Sequence, residues 1–366
     1  MDSKRFARNL LGLCRAHSVA LFLVGCCTMA MTGPVRADQI VAVAGPMTGS
    51  QSAHGIDYAS GVERAVSDIN AKGGLLGQKL SYRIVDDACD ADQAEAAAQQ
   101  VVAERPAVVI GHYCSSCSIR AAPIYAQAQI VQIAPTSTNP RLTEMGLTSG
   151  FRMIGRDDNQ GRAAADRLVT EWPHGRIAVL DDGGTYGKGL ADVVRADLKD
   201  RGIAPILDES YKPDAQSYAD LIRRMKAAGV QAVFVGGYDL DIAVIAREVA
   251  AAELHLTILA GDALVAPSFS EAAGRPGENA IFTFSPNPLD RPEGRALVEA
   301  ARQEGVELGG QAVLAYASVE VWAQAVEKVG SFDTALVATA LHANRFDSKI
   351  GKVEYDRKGD ILVDKI

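Results

Sequence analysis

The chain has 366 residues, 48% hydrophobic and 22% charged, which are the proportions of a folded globular protein and exclude a disordered or fibrous one. Its net charge is −8, and because the first 37 residues carry Lys4, Arg5, Arg8, Arg15 and Arg36 against Asp2, the remainder is more acidic still. Phosphate contacts need clustered Lys and Arg, so nucleic acid is excluded as a partner. One hydrophobic core rarely serves this length, and two domains are expected.

Residues 1–37 read as an export signal. Basic residues precede the apolar run Val19–Met31, and Val35-Arg36-Ala37 supplies a small-x-small cleavage pattern. At 13 residues the run is too short for a bilayer, which needs about 20. A lipobox-like Leu23-Val-Gly-Cys26 offers a second route, a lipid anchor on Cys26; cleavage after Ala37 uses the whole run and is preferred. Either route puts the folded body outside the cytoplasm, in the periplasm.

Three cysteines follow the leader: Cys89, Cys114 and Cys117. An odd number outside the cytoplasm leaves one bridge and one thiol, with Cys89–Cys114 and Cys114–Cys117 both open on spacing alone. A Cys89–Cys114 bridge would stabilise by roughly 3–4 kcal/mol. The Cys114-Ser-Ser-Cys117 spacing also admits a thiol oxidoreductase, although nothing else in the sequence suggests a thioredoxin-like unit.

From residue 40 onward short apolar runs alternate with helical patterns. Strands are expected at 40–44, 80–85, 107–110, 130–134, 176–180, 204–207, 232–235, 256–260 and 280–284. Helices are expected near 57–71, 91–104, 118–128, 159–171, 187–200, 217–228 and 240–253. In the first helix Val62, Ala65, Val66 and Ile69 share one face, opposite Glu63, Arg64 and Asp68. Such alternation predicts an α/β fold of parallel sheets flanked by helices, and nine strands suit two sheets better than one. Past the proline-rich 285–292, helices near 293–304 and 312–328 and a hairpin near 352–360 complete the chain.

Ligands of open parallel sheets bind beyond the carboxyl ends of the strands. There the sequence places Gly111-His-Tyr-Cys-Ser-Ser116, Pro135-Thr-Ser-Thr-Asn139, Asp181-Asp-Gly-Gly-Thr-Tyr-Gly187, Gly236-Gly-Tyr-Asp239 and Gly261-Asp262. Hydroxyls and helix-start amides at Ser115, Ser116, Ser137 and Thr138 suit an anion. Tyr186, Tyr238 and Asp262 supply phenols and an acid. Enzyme signatures fail: Gly183–Lys188 lacks phosphate-loop spacing, Gly45-Pro-Met-Thr-Gly49 is no dinucleotide fingerprint, and neither a Gly-x-Ser-x-Gly elbow nor metal-spaced histidines occur. No catalytic residue, cofactor or metal is expected.

Several segments together resemble the branched-chain amino acid (Leu/Ile/Val) binding proteins of bacterial ABC importers. They are Val43–Gly49, Gly61–Gly74, Asp86–Asp90, Gly111–Ser116, Thr185–Gly189 and Gly236–Tyr238. The resemblance implies a type I periplasmic binding protein fold of two lobes joined by three crossings. Lobe one would be 38–156 plus 287–345, and lobe two 157–286 plus 346–366. It also implies a Cys89–Cys114 disulfide. Ser115, Thr138 and the Thr136 backbone would hold a ligand α-carboxylate, Asp262 with Thr138 the ammonium, and Tyr186 and Tyr238 would close from the other lobe.

Three departures stand out. Asp262 replaces a family Glu, His54 replaces a family aromatic, and the chain ends at Ile366 where relatives run on through another strand. The expected function is a monomeric receptor that captures an aliphatic amino acid, branched-chain or related, and delivers it to a membrane permease. A receptor for an amide, urea-like compound or organic acid is the alternative.

Overall fold

The computed structural model describes residues 38–362. The expected signal peptide, with Cys26, and the last four residues lie outside that range.

Two five-stranded parallel sheets organise the chain. The first contains β1 (Gln39–Gly45), β2 (Leu80–Asp86), β3 (Val108–Gly111), β4 (Val131–Ala134) and β5 (Gly150–Arg152), in the order β2-β1-β3-β4-β5. Between them run α1 (Ser52–Ala71), α2 (Ala91–Glu104), α3 (Ser115–Gln127) and α4 (Arg141–Glu144). The second sheet contains β6 (Ile177–Asp181), β7 (Leu207–Ser210), β8 (Ala232–Gly236), β9 (Thr257–Ala260) and β10 (Ile281–Phe282), in the order β10-β9-β8-β6-β7. Its helices are α5 (Asp157–Glu171), α6 (Thr185–Asp200), α7 (Ala219–Ala228), α8 (Asp239–Ala251) and α9 (Pro267–Ala273). The remaining elements are α10 (Pro292–Gln303), α11 (Gly310–Val329), α12 (Thr334–Ala343), β11 (Phe346–Ser348) and β12 (Gly351–Val353). Among the described residues, no helix is long and apolar enough to cross a membrane.

Interior strands are apolar on both faces because helices cover both: β3, β4, β6 and β8 are buried throughout. Edge strands read differently. The apolar stretch expected as a strand at 204–207 leads into β7, which begins only at Leu207 and alternates half-buried with exposed residues. An edge strand half-open to water has that period-two pattern, so its polar residues Asp208 and Glu209 hid it. α1 packs on α11 so closely that a Cβ on Gly61 would meet the Ala312 carbonyl oxygen at 2.1 Å.

The chain passes between the two sheets at residues 153–156 and again at 283–287. The Gly155 N–H donates to Ser285 Oγ at 2.9 Å, tying these passages together. The tail corrects the expectation that 346–366 joins the second lobe. Phe346, Val353, Tyr355 and Ile361 lie in one apolar core with β1, α1 and α11. The reason is a buried ion pair that sequence could not reveal. Arg152 on β5 is fully buried, and its Nε donates to Asp360 Oδ1 at 2.5 Å. Its Nη atoms donate to Thr143 Oγ1 and to the carbonyls of Ser137 and Asn139, while Arg156 donates to Asp360 Oδ2. β5 was missed for the same reason, since a buried arginine hides a three-residue strand.

Removing one partner of such a pair strands the other in low dielectric. Asp360→Ala is expected to destabilise the protein by about 3–5 kcal/mol in urea unfolding. The double variant with Arg152→Met is expected to recover part of that loss.

Candidate functional site

Strand ends from both sheets converge on one cavity of about 560 Å³. From the first lobe, β3 delivers Tyr113 and Ser115, β4 delivers Thr136, and the first turn of α1 delivers His54. From the second, the starts of α6 and α8 present Tyr186 and Tyr238, and the turn after β9 presents Asp262. All seven line the cavity. Of the residues named from sequence, Ser116, Ser137 and Thr138 are not on its wall. Ser137 is fully buried, with its hydroxyl turned to the His112 and Tyr113 carbonyls. Thr138 is buried as well, and its carbonyl accepts the N–H of Asp157 at the start of α5.

The second lobe contributes a carboxylate held out of water. Tyr186 Oη donates to Asp262 Oδ1 at 2.7 Å and accepts the Ala263 N–H at 3.3 Å. Burial raises the Asp262 pKa, and the bond from Tyr186 opposes the rise. Only glycine permits this arrangement, because a Cβ at Gly261 would lie 2.6 Å from Tyr186 Oη. Across the cavity stands the opposite polarity: α3 begins at Ser115, whose N-terminal amides are partly positive. Ser115 Oγ accepts the Asn139 N–H at 3.3 Å, and Thr136 Oγ1 meets Tyr58 Oη at 2.5 Å. One end therefore suits an anion and the other a cation.

Contacts between the lobes flank the cavity. Asn139 Nδ2 donates to the Thr185 carbonyl at 2.8 Å. His54 stacks on Tyr113 at 4.6 Å between ring centroids, and Tyr113 lies 6.2 Å from Tyr238. His54 Nε2 lies 3.3 Å from Asp239 Oδ1, and its Nδ1 lies 3.0 Å from Gln311 Oε1. Ser268 Oγ also donates to Asp239, and the bond from His54 helps hold the Asp239 pKa down against its burial.

Tyr113, Asp239 and Gln311 are site residues that sequence reasoning missed. The first two lie inside strand-end segments already singled out. Gln311 is far from any of them in sequence and carries no local signal. Asp157 was missed too: it is fully buried, and neither carboxylate oxygen has a hydrogen-bond partner among the described residues. Burial and the nearby Asp262 push its pKa up.

The cysteines are structural. Cys89 and Cys114 form a disulfide, and Cys117 is free and buried. Burial pushes the Cys117 thiol up, opposite to what a reactive thiolate needs. His112 faces away from the cavity, its ring between Asp87 Oδ2 at 2.6 Å and Tyr125 Oη at 2.9 Å.

A further acid sits at the end of β6. Asp182 accepts the Gly184 N–H at 2.7 Å, and burial pushes its pKa up to about 6, with Asp181 and Asp241 adding to the rise. A folded-state pKa above the unfolded value stabilises at low pH, and that stabilisation is lost as pH rises through about 6. Asp182→Asn is therefore expected to raise unfolding stability by about 1–2 kcal/mol at pH 8 and to change it little at pH 4. Urea unfolding at the two pH values checks this.

Known proteins share this architecture. The profile of the family described as periplasmic binding protein matches residues 39–364. An amino acid binding protein of Pseudomonas aeruginosa is 36% identical over 99% of this chain and 95% of its own. A Leu/Ile/Val-binding protein homologue of Brucella abortus is 36% identical over 92% of this chain and 91% of its own. The crystal structure of the leucine-binding protein LivK from Thermotoga maritima superposes with a TM-score of 0.80 at 25% identity, covering 89% of this chain and 93% of that one. Two facing parallel sheets, strand-end residues gathered between them and a match along nearly the whole described chain agree: this protein belongs to the periplasmic binding protein family.

Proposed function

We propose that the protein is a periplasmic receptor of an ABC importer, which traps an amino acid between its lobes and presents it to a membrane permease. The observation that carries this reading is the pairing of opposite polarities in one cavity. Asp262 waits desolvated on one lobe while Ser115 and the α3 amides face it from the other. A zwitterion satisfies both ends at once. The relatives named for amino acids or for Leu/Ile/Val support that ligand class.

In this reading Ser115 and the α3 amides bind the α-carboxylate, with the Thr136 backbone completing that pocket, while Thr138 lies behind the wall and supports it. Asp262 binds the ammonium, oriented by the Tyr186 hydroxyl. Tyr186 and Tyr238 cover the ligand from the second lobe. Binding requires no bond to be made or broken. A ligand that touches both lobes favours the closed arrangement by its differential affinity for that state. An uncharged amide or a plain carboxylate would leave Asp262 buried without a cation, which disfavours the alternative ligand classes.

Two measurements test this reading. Removing one partner of a desolvated charge pair typically costs about 3–5 kcal/mol, so Asp262→Asn is expected to weaken leucine binding by roughly 100-fold or more. The same variant should leave the ligand-free Tm unchanged or raised, because it removes a desolvated charge. Calorimetric titration with a thermal scan separates the two effects, and unaltered affinity would reject the ammonium partner. The second concerns His54, which bridges Gln311 of its own lobe to Asp239 of the other. His54→Ala removes that contact between the lobes and is expected to weaken ligand binding several-fold in the same titration, while His54→Gln, which can keep one of the two bonds, should lose less.

A further inference from the structure

The cavity is larger than the ligand its anchors require. Leucine has about nine non-hydrogen atoms, and at roughly 30 Å³ each, the share of a water molecule in the liquid, it needs about 270 Å³ at most. The cavity holds about 560 Å³. Besides the anchors, the lining includes Phe284 and Leu289 on the crossing, Val298 on α10, Leu308, and Leu314 on α11.

The chemistry of this wall is one-sided. It is aliphatic and aromatic, so an apolar occupant gains by leaving water. Its charged neighbours sit at its edges. The Asp57 carboxylate accepts the N–H groups of Gly309 and Ala312, capping α11. At the rim Arg302 Nε donates to Glu307 Oε1 at 3.4 Å, and Arg302, Glu307 and Glu271 are all exposed to water, where their charge is screened. The inner anchors take the ligand's two charges, and the apolar wall beside them suits hydrocarbon.

We propose that the receptor selects α-amino acids whose apolar side chain is longer or bulkier than that of leucine, with the apolar wall from Phe284 to Val298 as its side-chain subsite. This rests on the amino-acid reading above. It also makes Leu289 and Val298 specificity residues that touch the end of the side chain and nothing of the α-carbon groups.

Calorimetric titration of the full mature chain with norvaline, norleucine, leucine, phenylalanine and 2-aminooctanoate tests the proposal. Affinity is expected to rise about threefold to fourfold per added methylene, the gain for burying one in an apolar site. 2-Aminooctanoate should then bind at least tenfold tighter than leucine. Val298→Trp and, independently, Leu289→Trp are expected to abolish that advantage while keeping norvaline affinity within twofold. Leucine binding tightest, with longer chains excluded, would overturn the subsite and leave the amino-acid reading standing. Equal loss for every ligand in both variants would overturn it as well. Failure of every amino acid to bind would instead reject the receptor reading on which the proposal rests.

Discussion

A carboxylate out of water needs a partner, and among the described residues Asp262 has only the phenol of Tyr186. Burial raises the free energy of its charged form, and the Tyr186 hydroxyl offsets part of that cost without neutralising the charge. Much of the second lobe serves this arrangement. Gly261 must lack a side chain to admit the phenol, β9 must end where it does, and α6 must begin at Thr185 to aim Tyr186 inward. The first lobe answers with the partly positive start of α3. Each half-site is incomplete by itself, and a molecule carrying both charges completes the two together.

The two-sheet scaffold makes such a meeting possible at little cost. Parallel strands end in a row, so every loop that follows a strand points toward the same edge. Two sheets set with those edges facing bring five such loops to one cavity. Side chains from loops far apart in sequence then share a space that none of them could build locally. The interlobe contacts include two hydrogen bonds, Asn139 to Thr185 and His54 to Asp239, beside the ring pair Tyr113–Tyr238. Polar groups of this kind can exchange their partners for water, so such bonds cost little to break.

What the sequence disclosed follows from the range of the forces involved. Apolar runs of interior strands and the apolar stripe of α1 are local patterns, and both sheets could be read from them. Loop positions followed, so His54, Ser115, Thr136, Tyr186, Tyr238 and Asp262 lie on one cavity wall, while Ser116, Ser137 and Thr138 do not. The reading missed whatever depended on distant partners. Arg152 looks like a surface residue until Asp360 arrives from the far end of the chain, and with that pair go β5 and the seating of the tail. Gln311 reaches His54 across 257 positions of sequence. Tyr113 and Asp239 lie inside segments that sequence singles out, but nothing local marks which residue of a loop turns inward.

The disulfide lies one residue from the ligand anchor. Cys114 immediately precedes Ser115, and its bond to Cys89 fixes the turn on which α3 begins. The geometry that would grip a carboxylate is thus completed by an oxidation that the cytoplasm does not permit and the exterior does. A reduced chain would carry the full sequence with the start of α3 no longer fastened to Cys89. The redox state of its surroundings thus reaches the cavity wall through a single covalent bond.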